Sequence, residues 1–243
     1  MLVWRQFLSA IGGGIYQIKR WDESNSPIEE CCFAKQAHEA KKWAFVADYV
    51  RLYALYNEGG IYLDTDMLIL KPLDPLLHHS CFLGFEEPGY VNCAIAGAVP
   101  RHPYIEEMLQ RYESRSFDTT RIIGIPKMCS DALTEKGLTS EDVFQEVFGV
   151  HIYPTDYFYP YPFRIHIQQK DLLQKNFMSY VTSRSYAVHL WNWSWKSVVD
   201  CLKHGQYKEG LWKLWQEIRQ SPNQTLKKII RHSMLFFSRC MRR

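Results

Sequence analysis

Apolar and polar positions change period several times along the chain, and each change predicts an element. In residues 44–58, Phe45, Tyr49, Leu52 and Tyr56 recur at helical spacing and form one apolar stripe. Asp48 and Arg51 stand three apart and share another face of the same helix. Gly59 and Gly60 end it in a left-handed cap, because glycine takes positive φ without a Cβ penalty. Residues 61–63, Ile-Tyr-Leu, then read as a short buried strand, and residues 29–57 as two helical pieces. Residues 14–21 alternate as a strand closed by the turn Asp22-Glu23-Ser24-Asn25. Further strands are predicted at 67–70, 82–85, 92–97, 150–153 and 187–190, helices at 102–112 and 126–136, and an aromatic loop at 154–163. Strands alternating with helices predict an α/β fold with a mainly parallel central sheet. Ligands of such sheets bind beyond the carboxyl ends of the strands.

Asp64 and Asp66 emerge at such an end. Residues i and i+2 of a strand point to one side, so both carboxylates face the same space. Two hard oxygen ligands there suit Mg²⁺ or Mn²⁺ held against a diphosphate. An Asp-x-Asp triplet by itself is most often a solvated turn. A phosphatase of the DxDx(T/V) type competes for the same residues, but Leu68 stands where that pattern wants a hydroxyl or β-branched residue. The second unusual patch is His189-Leu190-Trp191-Asn192-Trp193-Ser194-Trp195, where three tryptophans at alternate positions also fit a packed strand or corner. His38, His78, His79, His102, His151 and His166 have no ligand spacing.

Composition narrows the class. At 243 residues and 28.7 kDa the chain fits a domain at 1–200 with a helical extension at 201–243. With 47% hydrophobic and 15% aromatic residues it can build a substantial core. No run approaches the roughly 18 apolar residues of a membrane span. The N-terminal stretch, with an arginine inside its apolar run and three glycines after it, makes a poor signal peptide. Seven cysteines without CxxC spacing read as reduced thiols in a cytoplasmic protein.

The net charge is +3, but Lys227, Lys228, Arg231, Arg239, Arg242 and Arg243 turn the remainder to −3 when set aside. A mildly acidic body argues against nucleic-acid binding. On a helix over 226–243, Leu226, Ile229, Ile230, Met234, Phe236, Phe237, Cys240 and Met241 fall on one side and the cations opposite. Such a helix either docks on the protein's own core or lies peripherally on anionic lipid, at the inner face of the cell membrane.

Ala47-Asp48-Tyr49-Val50-Arg51 followed by Gly59-Gly60-Ile61-Tyr62-Leu63-Asp64-Thr65-Asp66 matches (A/S)-D-x-x-R…G-G-x-Y-x-D-x-D at every fixed position. The arrangement resembles the sugar-binding region of the DXD glycosyltransferases of family 32. That family includes capsule and lipopolysaccharide enzymes and the yeast initiating mannosyltransferases, and is related to glucosylating toxins. Its late H-H-W-x-G-S-W segment is matched at His189, Trp191, Ser194 and Trp195, while Leu190 and Trp193 depart from it. The resemblance covers roughly residues 14–196 and implies a GT-A-like domain. It implies metal-dependent, retaining transfer from a UDP- or GDP-sugar to a glycan or lipid-linked acceptor, in surface polysaccharide biosynthesis.

By that resemblance Asp66 binds the metal, with His189 or alternatively Ser194 completing the shell. Imidazole suits Mn²⁺ better than Mg²⁺. Asp64 bridges sugar or ribose hydroxyls and the ion's water, Asp48 and Arg51 hold the donor sugar, Asn92 lies near that sugar, and Trp195 lies near the leaving group. The family's first strand has no counterpart here, so a truncated start, an unpaired sheet edge and an inactive nucleotide-sugar-binding relative are all expectations of the same comparison. A metal-dependent phosphohydrolase is the remaining alternative.

Overall fold

A computed structural model describes residues 16–118, 123–168 and 177–191. Helices α1 (Cys32–Glu39) and α2 (Trp43–Glu58) lead into β1 (Gly60–Leu63) and β2 (Met67–Ile69). Then come β3 (Cys81–Glu87), β4 (Tyr90–Ala98), α3 (Pro103–Glu113), α4 (Ile125–Thr134), β5 (Gln145–Val147) and β6 (Val150–Tyr153). The short helices α5 (Thr155–Phe158) and α6 (Phe163–Gln168) precede β7 (Ala187–His189). Five strands form one sheet in the order β1-β4-β3-β6-β5, and β2 pairs with β7 in a separate ribbon.

The sheet corrects the expectation of mainly parallel strands. Of its pairings only β3 with β6 is parallel; β1–β4, β3–β4 and β5–β6 are antiparallel. The cause lies in the turns. Pro88-Gly89 alone joins β3 to β4, and Phe148-Gly149 alone joins β5 to β6. Two residues can reverse a strand, whereas a parallel return needs a crossover of a dozen or more. Phe148 and Gly149 both take positive φ, 52° and 73°, as a type I′ hairpin turn requires.

The strand expected at 14–21 is a second correction. Residues 16–21 carry no regular structure, and Ile18 is exposed because no sheet edge meets it. The turn after it does form: Asp22 Oδ1 accepts from the Ser24 amide at 3.0 Å. The predicted positions of both early helices, of α3 and α4, and of β1, β2, β3, β4, β6 and β7 agree with the structure to within a few residues. The extension at 201–243 and its amphipathic helix lie outside the described residues. No described helix is long and apolar enough to cross a membrane.

Both faces of the sheet are covered. Leu83, Phe85, Val91 and Cys93 pack with α1–α4 in one core, while Phe82, Ala94 and Ile95 face a second with β2, β7 and the aromatic residues Tyr153, Phe158, Tyr159 and Tyr161. In β3 the odd positions go one way and Phe82 the other, the period-2 signature of a strand buried on both sides. Helix α2 lies between α1, α3 and the sheet, which is why Asp48 and Arg51 are buried along with its apolar stripe.

Gly59 caps α2 and joins it to β1. Its φ of 68° and ψ of −158° lie outside the left-handed helical region and in one that only glycine occupies readily. A Cβ there would stand 2.7 Å from the Pro100 ring and 2.9 Å from the Ala98 carbonyl oxygen. Gly59→Ala is therefore expected to lower unfolding free energy by about 1–3 kcal/mol, measured by urea titration.

Candidate active site

The site is built outward from α2. Arg51 is 6% exposed, yet its guanidinium is fully engaged. Nη2 lies 3.0 Å from Asp48 Oδ1, and Nη1 lies 3.4 Å from Asp64 Oδ1 and donates to the Cys93 carbonyl at 3.0 Å. The cation also sits 4.4 Å from the centre of the Tyr62 ring. One side chain thus ties α2 to the end of β1 and to the middle of β4. The Asp48–Arg51 pair shares one helix face as its spacing predicts, and that face is buried and not solvated. Desolvation pushes the Asp48 carboxyl up to about 6, opposed by the attraction of Arg51. Burial by itself would lower the Arg51 pKa, but Asp64, Tyr62 and Asp48 reverse this and hold the cation charged.

Asp64 and Asp66 flank the turn between β1 and β2 and do not lie on one strand. What orients them is hydrogen bonding. The Asp64 amide donates to the Ala94 carbonyl at 2.6 Å, and its own carbonyl accepts from Met67 at 3.0 Å. Asp64 Oδ1 also accepts from the Tyr62 hydroxyl at 2.6 Å, leaving Oδ2 with no hydrogen-bond partner among the described residues. The β2–β7 ribbon sets Met67 opposite His189, which delivers the imidazole to the DXD turn. His189 Nε2 lies 3.1 Å from Asp66 Oδ1, and the Leu190 amide donates to the Asp66 carbonyl at 3.0 Å.

Asp64, Asp66 and His189 each offer a ligand atom, all within 4.8 Å of one another. Two carboxylates and an imidazole suit a borderline-hard divalent ion such as Mn²⁺. The Asp66 carboxylate can only accept, so its contact with His189 Nε2 places the imidazole proton on Nε2, while buried Nδ1 has no hydrogen-bond partner among the described residues. Trp191 follows β7 and is anchored through its side chain. Its φ is 55°, unusual for a bulky residue, and its indole N–H donates to the Tyr161 carbonyl at 2.8 Å while its ring packs 4.0 Å from that of His189.

Asp48, Arg51, Asp64, Asp66 and His189 are brought together as the sequence predicts. Asn92, expected near the donor sugar, is held by two neighbours. Its Oδ1 accepts from the Ala94 amide at 2.8 Å, and its Nδ2 donates to Glu86 at 2.5 Å. Ser194 and Trp195 lie outside the described residues, as does Trp193. Sequence reasoning missed Glu86, Tyr62 and Tyr159. Tyr62 was legible as a fixed position of the G-G-x-Y pattern, whereas nothing local marks the other two. His102 serves as a helix cap, its Nδ1 accepting from Tyr104, in keeping with its reading as an ordinary histidine.

Known proteins share part of this sequence. Residues 10–83 match the glycosyltransferase sugar-binding region containing the DXD motif. The chain is 36% identical over 70 residues to inositol phosphoceramide mannosyltransferase 2 of Schizosaccharomyces pombe, covering 29% of this chain and 20% of that one. It is 39% identical over 64 residues to mannosyl phosphorylinositol ceramide synthase CSH1 of Saccharomyces cerevisiae, covering 26% and 17%. Mouse lactosylceramide 4-alpha-galactosyltransferase is 25% identical over 169 residues, covering 65% of this chain and 44% of the relative. No solved structure matches the chain. The protein thus carries a DXD glycosyltransferase sugar-binding region related to that of yeast mannosyltransferases. It spans about a fifth of the length of the first of these relatives.

Two outcomes follow from the buried pair. Arg51→Lys keeps the charge but cannot reach Asp48, Asp64 and the Cys93 carbonyl at once, and should cost about 1–3 kcal/mol of stability in chemical denaturation. Asp48 binds its proton more tightly folded, at about 6, than at the ordinary 3.8. Its contribution to stability is therefore present below pH 3.8 and lost as pH rises through 6. In EDTA, the melting temperature of the wild type relative to Asp48→Asn should fall across that window.

Proposed function

We propose that this chain transfers a sugar from a UDP- or GDP-sugar to a hydroxyl of a lipid-linked glycan, in a reaction that needs a divalent ion. The observation that supports this most directly is the convergence of Asp64, Asp66 and His189 beside the buried Arg51–Asp48 pair. When bound, the ion neutralises charge on the departing nucleoside diphosphate. Asp66 and His189 would hold it, with Asp64 contributing its Oδ2. Arg51, kept charged by its carboxylates, fixes Asp64. Tyr62 removes the remaining freedom of Asp64 through its hydroxyl. Retention of anomeric configuration belongs to the proposal and follows the family resemblance.

The acceptor class draws on the relatives. The fungal enzymes are named for inositol phosphoceramide or its mannosylated form and the mouse enzyme for lactosylceramide, all lipids built on ceramide. These names favour a lipid-linked acceptor over a free polysaccharide.

The test is a panel of UDP- and GDP-sugars incubated with the protein in Mn²⁺ or in EDTA, read as release of nucleotide. One donor should be turned over, in Mn²⁺ only. Asp66→Asn should lower that rate about a hundredfold or more while leaving the circular dichroism spectrum unchanged. Donor binding without turnover in the presence of a ceramide glycolipid would make the chain a nucleotide-sugar-binding relative. Release of inorganic phosphate from simple esters would make it a phosphohydrolase.

A further inference from the structure

Glu86 is a carboxylate beside the site that the mechanism above does not use. It stands at a β-bulge: Phe85 pairs with Val91 and Glu87 with Tyr90, so Glu86 is the extra residue on β3. Bulges of this kind re-aim a side chain, often next to active sites. The side chain is partly buried, and that desolvation raises its pKa. Asn92 Nδ2 donates to Oε2 at 2.5 Å. Asn92 is itself locked by the Ala94 amide, and the Ala94 carbonyl takes the Asp64 amide. One stretch of β4 therefore positions both Glu86 and the DXD turn.

Tyr159 joins the two sides. Its hydroxyl donates to the Asn92 carbonyl at 3.3 Å, its ring packs 5.9 Å from His189, and both Glu86 and Asp64 act on it electrostatically. Glu86 lies outside the trio close enough to share an ion. No Lys or Arg pairs with it among the described residues. A desolvated carboxylate without a cation needs hydrogen-bond donors. The chemistry that brings several hydroxyl donors next to a metal-held diphosphate is the sugar attached to it.

We propose that Glu86, braced by Asn92, accepts hydrogen bonds from ring hydroxyls of the donor sugar and so helps select which sugar is bound. The inference rests on the donor binding proposed above. Its test is calorimetric titration in Mn²⁺ with UDP, GDP, UDP-galactose, UDP-N-acetylglucosamine and GDP-mannose, using wild type, Glu86→Gln and Glu86→Asp. The wild type should bind one nucleotide-sugar more tightly than its free diphosphate. Both variants should keep the affinity for the diphosphate within about twofold and lose about tenfold for the nucleotide-sugar, the worth of one hydrogen bond to a charged group.

Retention of the full sugar increment in both variants would overturn the assignment. So would an equal loss for diphosphate and nucleotide-sugar, which would mean that Glu86 acts through the metal ligands. A wild type that binds the two alike, or variants that both lose the native circular dichroism, would make Glu86 structural. Absence of any nucleotide binding by the wild type would instead remove the proposed function and this inference with it.

Discussion

A guanidinium group taken out of water must find compensation, and the compensation of Arg51 organises this protein. Burying an unpaired charge is costly, so the cation is stable only where anions and carbonyls surround it. Here they come from three places in the chain: Asp48 one turn back on α2, Asp64 after β1, and the Cys93 carbonyl in β4. Satisfying Arg51 therefore demands that helix, strand end and central strand meet at one point. The same demand aligns Asp64, whose other oxygen is then available to a ligand.

The second organising element is β4. It is buried along almost its whole length and pairs with β1 on one side and β3 on the other. At Ala94 its backbone holds Asp64, at Cys93 it holds Arg51, and at Asn92 its side chain holds Glu86. Three consecutive residues thus set three charged groups in register. Because neighbouring residues of a strand point to opposite faces, this is achieved through backbone carbonyls as much as through side chains. The His189 arm arrives independently, through the β2–β7 ribbon, and is kept in place by aromatic packing around Trp191 and Tyr159.

Much of this was written locally. The α2 stripe, the paired Asp48 and Arg51, the glycine break and the two aspartates follow from spacing within 23 consecutive residues, 44–66. Periodicity of 3.6 or 2 and the special conformations of glycine are short-range properties, so a linear reading recovers them. Alternation of helices and strands does not fix strand direction, whereas the two-residue turns Pro88-Gly89 and Phe148-Gly149 require antiparallel neighbours. Residues 16–21 alternate like a strand but meet no partner, and pairing is a property of the whole sheet.

The sequence by itself determined the class of the site: a charged helix face, a glycine turn and a DXD pair, with a histidine more than a hundred residues later. It also located the described α-helices and strands except β5 and the short helices α5 and α6, of which α5 forms where an aromatic loop is expected. Only the tertiary structure decided that Arg51 is buried and not solvated, that Asn92 serves Glu86, and that Glu86 and Tyr159 stand at the site at all. Those decisions depend on strand register, a β-bulge and desolvation, which arise between segments distant in the chain and leave no mark in the local spacing of residue types.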